Sequence, residues 1–309
     1  MVGQLDNRIG AFVRRLVHCW RDQRGRGYAA VAAVLVLSFM PTLARSDCGG
    51  PVPRRVPSAV RIGLGPGLDP RVPVETDQLP WSAIGRVHNA ALGGRCTGAL
   101  IGPRTVLTAA HCVISVRTGC FLQPGSIHFV LGYGQGSYAG HAHVASYLVA
   151  PDYVASPYGS GNDWALLTLD APLASPDRVL RLAHGSEALL MSPLPPDGIS
   201  VALAGYQQDR KEVLMADLNC RVVDIGRDSG GRPLLRHNCT ATRGASGAPL
   251  LTHAQDGTWR VLGVASGART DRGVTLQGTA YAGATGGTAV PAGAIDPAIA
   301  VLPGGGLQR

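Results

Sequence analysis

Glycine and proline, 42 and 22 of the 309 residues, punctuate this chain so densely that the apolar periodicity of a long helix is scarce in it. A proline inside a helix removes a backbone donor and clashes with the preceding turn, and a glycine loses the most conformational freedom on ordering. Between them survive short apolar or alternating runs: Arg104 to Ala110, Ser126 to Leu131, Ala142 to Val149, Ser200 to Ala204, Asn219 to Ile225 and Trp259 to Val264. Runs of this length, bounded by Gly, Pro, Asn and Asp, are strand signals. Strands of this kind must bury an apolar face and hide their edges, and sheets closed into barrels do both. An all-β chain is expected, with enough residues after the leader, roughly 263, to bury a sizeable core.

The leader reads differently. Arg8, Arg14, Arg15, Arg21, Arg24 and Arg26 stand against only Asp6 and Asp22, and they precede an apolar run from Tyr28 to Met40. A helix needs about 20 apolar residues to span a bilayer. This run covers 13 before Pro41 and ends near the small residues around Ala44. Residues 1–46 are therefore expected to be a signal peptide, cut after Ala44 or Ser46, so that membrane contact is transient; an uncleaved anchor is the alternative. Of seven cysteines, Cys19 lies in the leader, leaving Cys48, Cys96, Cys112, Cys120, Cys220 and Cys239. An even set suits disulfides in an oxidising compartment, periplasmic or extracellular, with 15 pairings open. Loss of residues 1 to 44 lowers the formal charge from +8 to +4. What remains has no arginine run interleaved with aromatics, so no nucleic-acid partner is expected.

Three segments carry chemistry. Thr108-Ala109-Ala110-His111-Cys112 offers an imidazole, and Gly244-Ala245-Ser246-Gly247-Ala248-Pro249 a serine in a tight turn. Between them, Asp163 heads the apolar run Trp164 to Leu169 and would be drawn toward a core with it. A serine hydroxyl is a poor nucleophile at neutral pH; it needs a base to take its proton, and the base needs a carboxylate to orient it. Singly, each has a plainer reading, as a turn residue, a buried histidine or a capping aspartate.

The order His111, Asp163, Ser246, with Cys112 after the histidine, resembles the trypsin/chymotrypsin-like serine peptidases. Pro80 to Gly85, Cys96 to Ile101, Pro151-Asp152-Tyr153 and Pro172 also fall where that family has similar text, so the resemblance runs from about Pro80 to about Leu302. It implies two six-stranded antiparallel β-barrels, about 75–185 and 190–286, with the active site in the cleft between them. The peptidase domain would cover 75–303, preceded by a Pro/Gly/Arg-rich arm at 47–74 and followed by a tail at 304–309; a short helix is expected within 288–303. By the same resemblance His111 is the base, Asp163 its orienter and Ser246 the nucleophile. The backbone N–H groups of Gly244 and Ser246 form the oxyanion hole. Thr240 falls at the base of the substrate pocket, and Ser266 on the strand along which substrate lies. Cys96 pairs with Cys112. Cys220 and Cys239 share the second half and are expected to pair, which leaves Cys48 for Cys120.

The chain departs from the digestive branch at Ala245, where those enzymes carry an aspartate that receives the new N-terminal ammonium after zymogen cleavage. The text from Cys239 to Pro249 is more similar to the bacterial, glutamyl-endopeptidase-like branch, although Ala265 stands where its glutamate-specific members usually have histidine. An exported serine endopeptidase acting on polypeptides, without cofactor or metal, is the expectation. A catalytically silent secreted double-barrel binding module is the alternative. The remaining histidines lack such context; His141 and His143 read as one face of an alternating strand rather than a metal site, having no cysteine or carboxylate set beside them.

Overall fold

A computed structural model describes residues 69–89, 94–115, 118–153, 160–183, 194–270, 273–274, 286–295 and 298. The leader, Cys48, most of the arm and the tail lie outside the described residues. All of the described residues belong to one unit, Arg61–Arg309.

Six strands close the first barrel: β2 (Ile84–Asn89), β3 (Gly94–Gly102), β4 (Thr105–Thr108), β5 (His128–Leu131), β6 (Gly140–Val149) and β7 (Ala165–Leu169). Their order around it is β2-β3-β4-β7-β6-β5, every pair antiparallel. Alternation sorts the side chains as a pleated strand requires. In β6, Ala142 and Val144 point inward while His141 and His143 stay outside. Val87, Leu100, Val106, Phe129, Leu167 and Leu169, which register places on the same face as Ala142 and Val144, fill the interior.

The second barrel uses β9 (Ile199–Gly205), β10 (Met215–Arg227), β11 (Pro233–His237), β12 (Pro249–His253), β13 (Trp259–Thr270) and β15 (Gly286–Pro291). It closes because β10 also pairs with β9. Strands as long as β10 and β13 can follow a barrel wall only by bending, and both carry register shifts, at Asp217/Cys220 and Val222/Asp224 in β10 and at Ala265/Gly267 in β13. Val201, Leu203, Leu235, Leu250 and Ala289 pack inside. Each of the six runs singled out in the sequence contains a barrel strand or lies within one, although Arg104 to Ala110 and Ser126 to Leu131 overrun theirs into 3-10 turns.

Three short strands are appended. β1 (Arg71–Pro73) pairs with β10, β8 (Arg181–Leu182) lies parallel to β13, and β14 (Gly273–Val274) extends a hairpin from β13. The end of the nominal arm is thus a strand of the second sheet. The described elements are strands and single 3-10 turns. The helix expected from residue 288 is corrected at its start: β15 continues to Pro291, past the expected barrel end at 286, and a 3-10 turn, Ala292–Ala294, follows. Thr288 and Val290 are β-branched, and the run is claimed on both sides, Leu235 facing Ala289 and Val264 facing Val290. Without it the second barrel would lack a closing strand.

Candidate active site

His111 sits in the 3-10 turn Ala110–Val113 directly after β4. A disulfide from Cys112 to Cys96 on β3, with Cα atoms 6.1 Å apart, ties that turn to the neighbouring strand. Since both sulfurs are in the bridge, Cys96 and Cys112 offer no thiolate to a metal beside His111. Asp163 lies just before β7 and is buried. Its Oδ1 accepts the His111 backbone N–H at 3.0 Å, and its Oδ2 faces His111 Nδ1 at 2.8 Å. One carboxylate thereby fixes both the turn and the ring. The hold on Asp163 is local: its N–H donates to Ser160 O, the Ser160 hydroxyl bonds the Asn162 side chain, and Asn162 Nδ2 donates to Pro151 O. Burial works against a charged His111, but the charge of Asp163 and its hydrogen bond outweigh it and raise the imidazole above its usual range.

Tyr153 is a residue that sequence reasoning passed over as connecting text. Its hydroxyl is hydrogen-bonded to Asp163; burial and that neighbouring charge push the phenol far above its ordinary value, so it stays a neutral donor. No spacing signal marks it, because it reaches Asp163 from the loop before β7. Ser266 is buried on β13, and its hydroxyl donates to Thr288 O at 3.4 Å.

Ser246 is delivered from the second barrel and held against the first. Its carbonyl accepts the Thr97 N–H at 2.8 Å, while Gly247, at φ +78°, lies so close to β4 that a Cβ there would come within 2.2 Å of Thr108 Oγ1 and 2.9 Å of Ala109 N. Residues 108 and 109 lead straight into His111, so this contact brings the Ser246 and His111 segments together. Among the described residues the Ser246 hydroxyl holds no hydrogen bond. Such bonds often tighten only once substrate is present.

Gly244 has φ +98°, and a Cβ there would meet Tyr206 O at 2.3 Å. A side chain is excluded twice, by conformation and by space. The Thr97 hydroxyl bridges the two, donating to Gly244 O at 2.8 Å and accepting the Tyr206 N–H at 2.9 Å. Arg243 O accepts the Gln208 N–H at 2.7 Å. In a trans peptide the N–H points opposite the carbonyl, so this bond turns the Gly244 N–H away from Gln208. Among the described residues no protein group accepts a hydrogen bond from the N–H of Gly244 or of Ser246.

The loop carrying Gln208 is braced from the arm. The Arg71 guanidinium is wholly buried, donates to Gln207 Oε1 at 2.5 Å, and pairs with Asp209 at 2.6 Å and Asp69 at 2.8 Å. Gln207 and Asp209 in turn hold Thr242, through its N–H at 2.7 Å and its hydroxyl at 2.6 Å. Ala245 is buried among apolar residues of the second barrel. Thr240 is buried too, its N–H donating to Asp217 Oδ2 at 2.8 Å. A second disulfide joins Cys220 to Cys239. Cys120 is disulfide-bonded, and Cys48, the partner expected for it, lies outside the described residues.

The Trypsin family matches residues 71–285. The chain belongs to the trypsin family of serine peptidases. Glutamyl endopeptidase of Bacillus licheniformis is 28% identical over 162 residues, 51% of this chain and 46% of that protein. CLIP domain-containing serine protease B4 of Anopheles gambiae is 39% identical over 49 residues, 15% of this chain and 14% of that one. The chain thus spans half or less of the length of the curated relatives it matches. A solved structure of Glu endopeptidase in complex with MPD superposes with a TM-score of 0.55 at 20% identity, over 74% of this chain and 95% of that one, and shows the shared fold.

Proposed function

We propose that this trypsin-family chain is an exported serine endopeptidase that cleaves polypeptides through His111, Asp163 and Ser246. The observation that carries the reading is the double hold of Asp163 on His111, by backbone N–H and by ring nitrogen, in a turn that packs against the Ser246 segment. With Nδ1–H donated to Asp163, the neutral ring leaves Nε2 as a base. Nε2 takes the Ser246 hydroxyl proton as Oγ attacks the substrate carbonyl carbon, and Asp163 stabilises the imidazolium that results. The carbonyl oxygen becomes an oxyanion and accepts from the N–H groups of Gly244 and Ser246. The C–N bond then breaks, the amine leaves with the proton from His111, and an acyl ester remains on Ser246. Water, deprotonated by the same imidazole, releases the acid. Thr240 and Ser266 are the proposed substrate-contacting positions in the pocket and along β13. Disulfides in the folded domain support export to an oxidising compartment.

The test is covalent. A fluorophosphonate should add to Ser246 in the wild-type chain, by intact mass and peptide mapping, and should not add to Ser246→Ala. Wild-type protein should also cleave a denatured protein mixture. A folded wild-type chain that neither labels nor cleaves would support the silent binding module instead.

A further inference from the structure

The outer face of the first barrel carries a cluster of imidazoles that plays no part in the proposed hydrolysis. Strand register assembles it. His128 on β5 stands opposite His88 on β2 and opposite His143 on β6, so the three occupy one row across adjoining strands. His141 lies two residues before His143 and shares its face. The rings of His128, His141 and His143 are mutual neighbours, with centroids 5.1, 4.3 and 5.3 Å apart. One ring nitrogen from each lies within 4.8 Å of those of the other two.

We propose that His128, His141 and His143 form a binding site for a divalent transition-metal ion of the imidazole-preferring class, with water completing its coordination. Two details of the geometry carry this beyond proximity. His143 Nδ1 is 3.3 Å from Gly125 O. A ligating histidine commonly donates its second N–H to a backbone carbonyl in this way, which fixes the tautomer and frees Nε2 for the ion. His128 Nδ1 and His141 Nε2 face each other at 2.8 Å and share a single proton. An ion bound between them replaces that proton, which leaves to solvent. Zinc–nitrogen bonds of about 2.0–2.1 Å in a tetrahedron set neighbouring nitrogens about 3.3 Å apart, so the pair has only to open by about half an ångström. His141 and His143 are exposed, and their side chains can turn by that much. The donor set also selects the ion: three imidazoles suit zinc, nickel or copper, while calcium and magnesium require oxygen ligands. The backbone beneath is anchored, since Asp170 Oδ1 accepts the His143 N–H at 3.0 Å. An ion here would staple β5 to β6 from outside.

The experiment titrates zinc chloride into the chain carrying Ser246→Ala, which prevents self-digestion, in a non-chelating buffer at neutral pH. Calorimetry should show one ion per chain. At a hundredfold excess over the dissociation constant the Tm should rise by roughly 5–10 °C, and EDTA should reverse the rise. His128→Ala and His141→Ala, each added to that background, should weaken binding at least tenfold, whereas His111→Ala should leave it unchanged. His141 is exposed, so its variant stays informative if His128→Ala fails to fold. Absence of one-to-one binding up to about millimolar zinc, or binding that survives in a folded His141→Ala chain, overturns the site. Binding lost in His111→Ala would assign the ion to the catalytic imidazole and overturn it equally.

Discussion

Arg71→Met should lower turnover without touching His111, Asp163 or Ser246. The guanidinium has no solvent exposure and meets two carboxylates and an amide, with Asp69 and Asp209 outweighing burial to hold it charged. Methionine keeps most of the volume and removes all of the guanidinium donors, leaving Asp209 without its buried cation and Gln207 Oε1 with Thr242 alone. Removing one partner of a buried ion pair costs about 3–5 kcal/mol, so the variant should be distinctly less stable yet folded at low temperature. The functional effect follows from what those partners hold. Gln207 and Asp209 flank Gln208, whose N–H fixes Arg243 O and with it the direction of the Gly244 N–H. If that peptide is free to rotate, one of the two proposed oxyanion donors is lost for part of the time; complete loss is worth ~10²–10³ in turnover. The expected result is a kcat at least tenfold lower with KM within about threefold, measured on a small ester substrate well below the variant's Tm. Arg236→Met is the control, because its pair with Asp224 is exposed on both sides and should be worth about 0–1 kcal/mol with no kinetic effect. A folded Arg71→Met chain with kcat within twofold of wild type would refute the brace.

Other substitutions test other links. Ser246→Ala should abolish hydrolysis and labelling with an unchanged fold, and Asp163→Asn should lower turnover by ~10⁴, read by steady-state kinetics, because it presents the wrong imidazole tautomer. Replacing Cys96 and Cys112 together by alanine should cost about 2–5 kcal/mol in urea unfolding and loosen the turn that carries His111. His237 is a buried base whose pKa burial lowers to about 4; its Nδ1 accepts the Cys239 N–H at 3.2 Å and its Nε2 has no partner. Its unfolded value is near 6.5, so between the two the unfolded chain binds the extra proton. Its contribution is complete above about pH 6.5 and declines as pH falls toward 4. From pH 6.5 to 5 this costs about 2 kcal/mol, which His237→Leu should remove from the pH dependence of urea unfolding; equal slopes in both proteins would contradict it.

Strands and chemistry were unequally legible. The six apolar runs marked barrel strands because a half-buried strand needs only local alternation and a turn at each end, both written in consecutive residues. Asp163 could be singled out for a similar reason, standing at the head of a run bound for the core. Tyr153, Arg71 and His128 could not. Each acquires its surroundings from partners set by register or by loop path: Arg71 from Asp209, far along the chain, and His128 from β6. Nothing in a Pro/Gly/Arg-rich arm marks Arg71 out for burial. The start expected for the C-terminal helix, residue 288, was misplaced for a related reason. The sixth strand of a barrel is claimed by pairing on both sides, and Thr288 and Val290 show that claim only once their neighbours are in place.

The brace bears on how the site becomes competent. The digestive branch that the sequence resembles carries an aspartate before the nucleophile, which receives a liberated N-terminal ammonium. Here that position is Ala245, buried among apolar side chains, and an ammonium placed there would be an uncompensated charge costing several kcal/mol. The loop is held from two other directions. Thr97 on the first barrel hydrogen-bonds Gly244 O and Ser246 O, and Arg71 at the edge of the second sheet holds Thr242 through Gln207 and Asp209. Both supports form when the barrels close and β1 pairs with β10, because they rest on backbone register and on one internal guanidinium. Neither requires a new chain end. Cleavage in the arm upstream of β1 should therefore leave the active-site titre unchanged, whereas removal of Asp69 to Pro73 should lower it, since that cut takes Arg71 away.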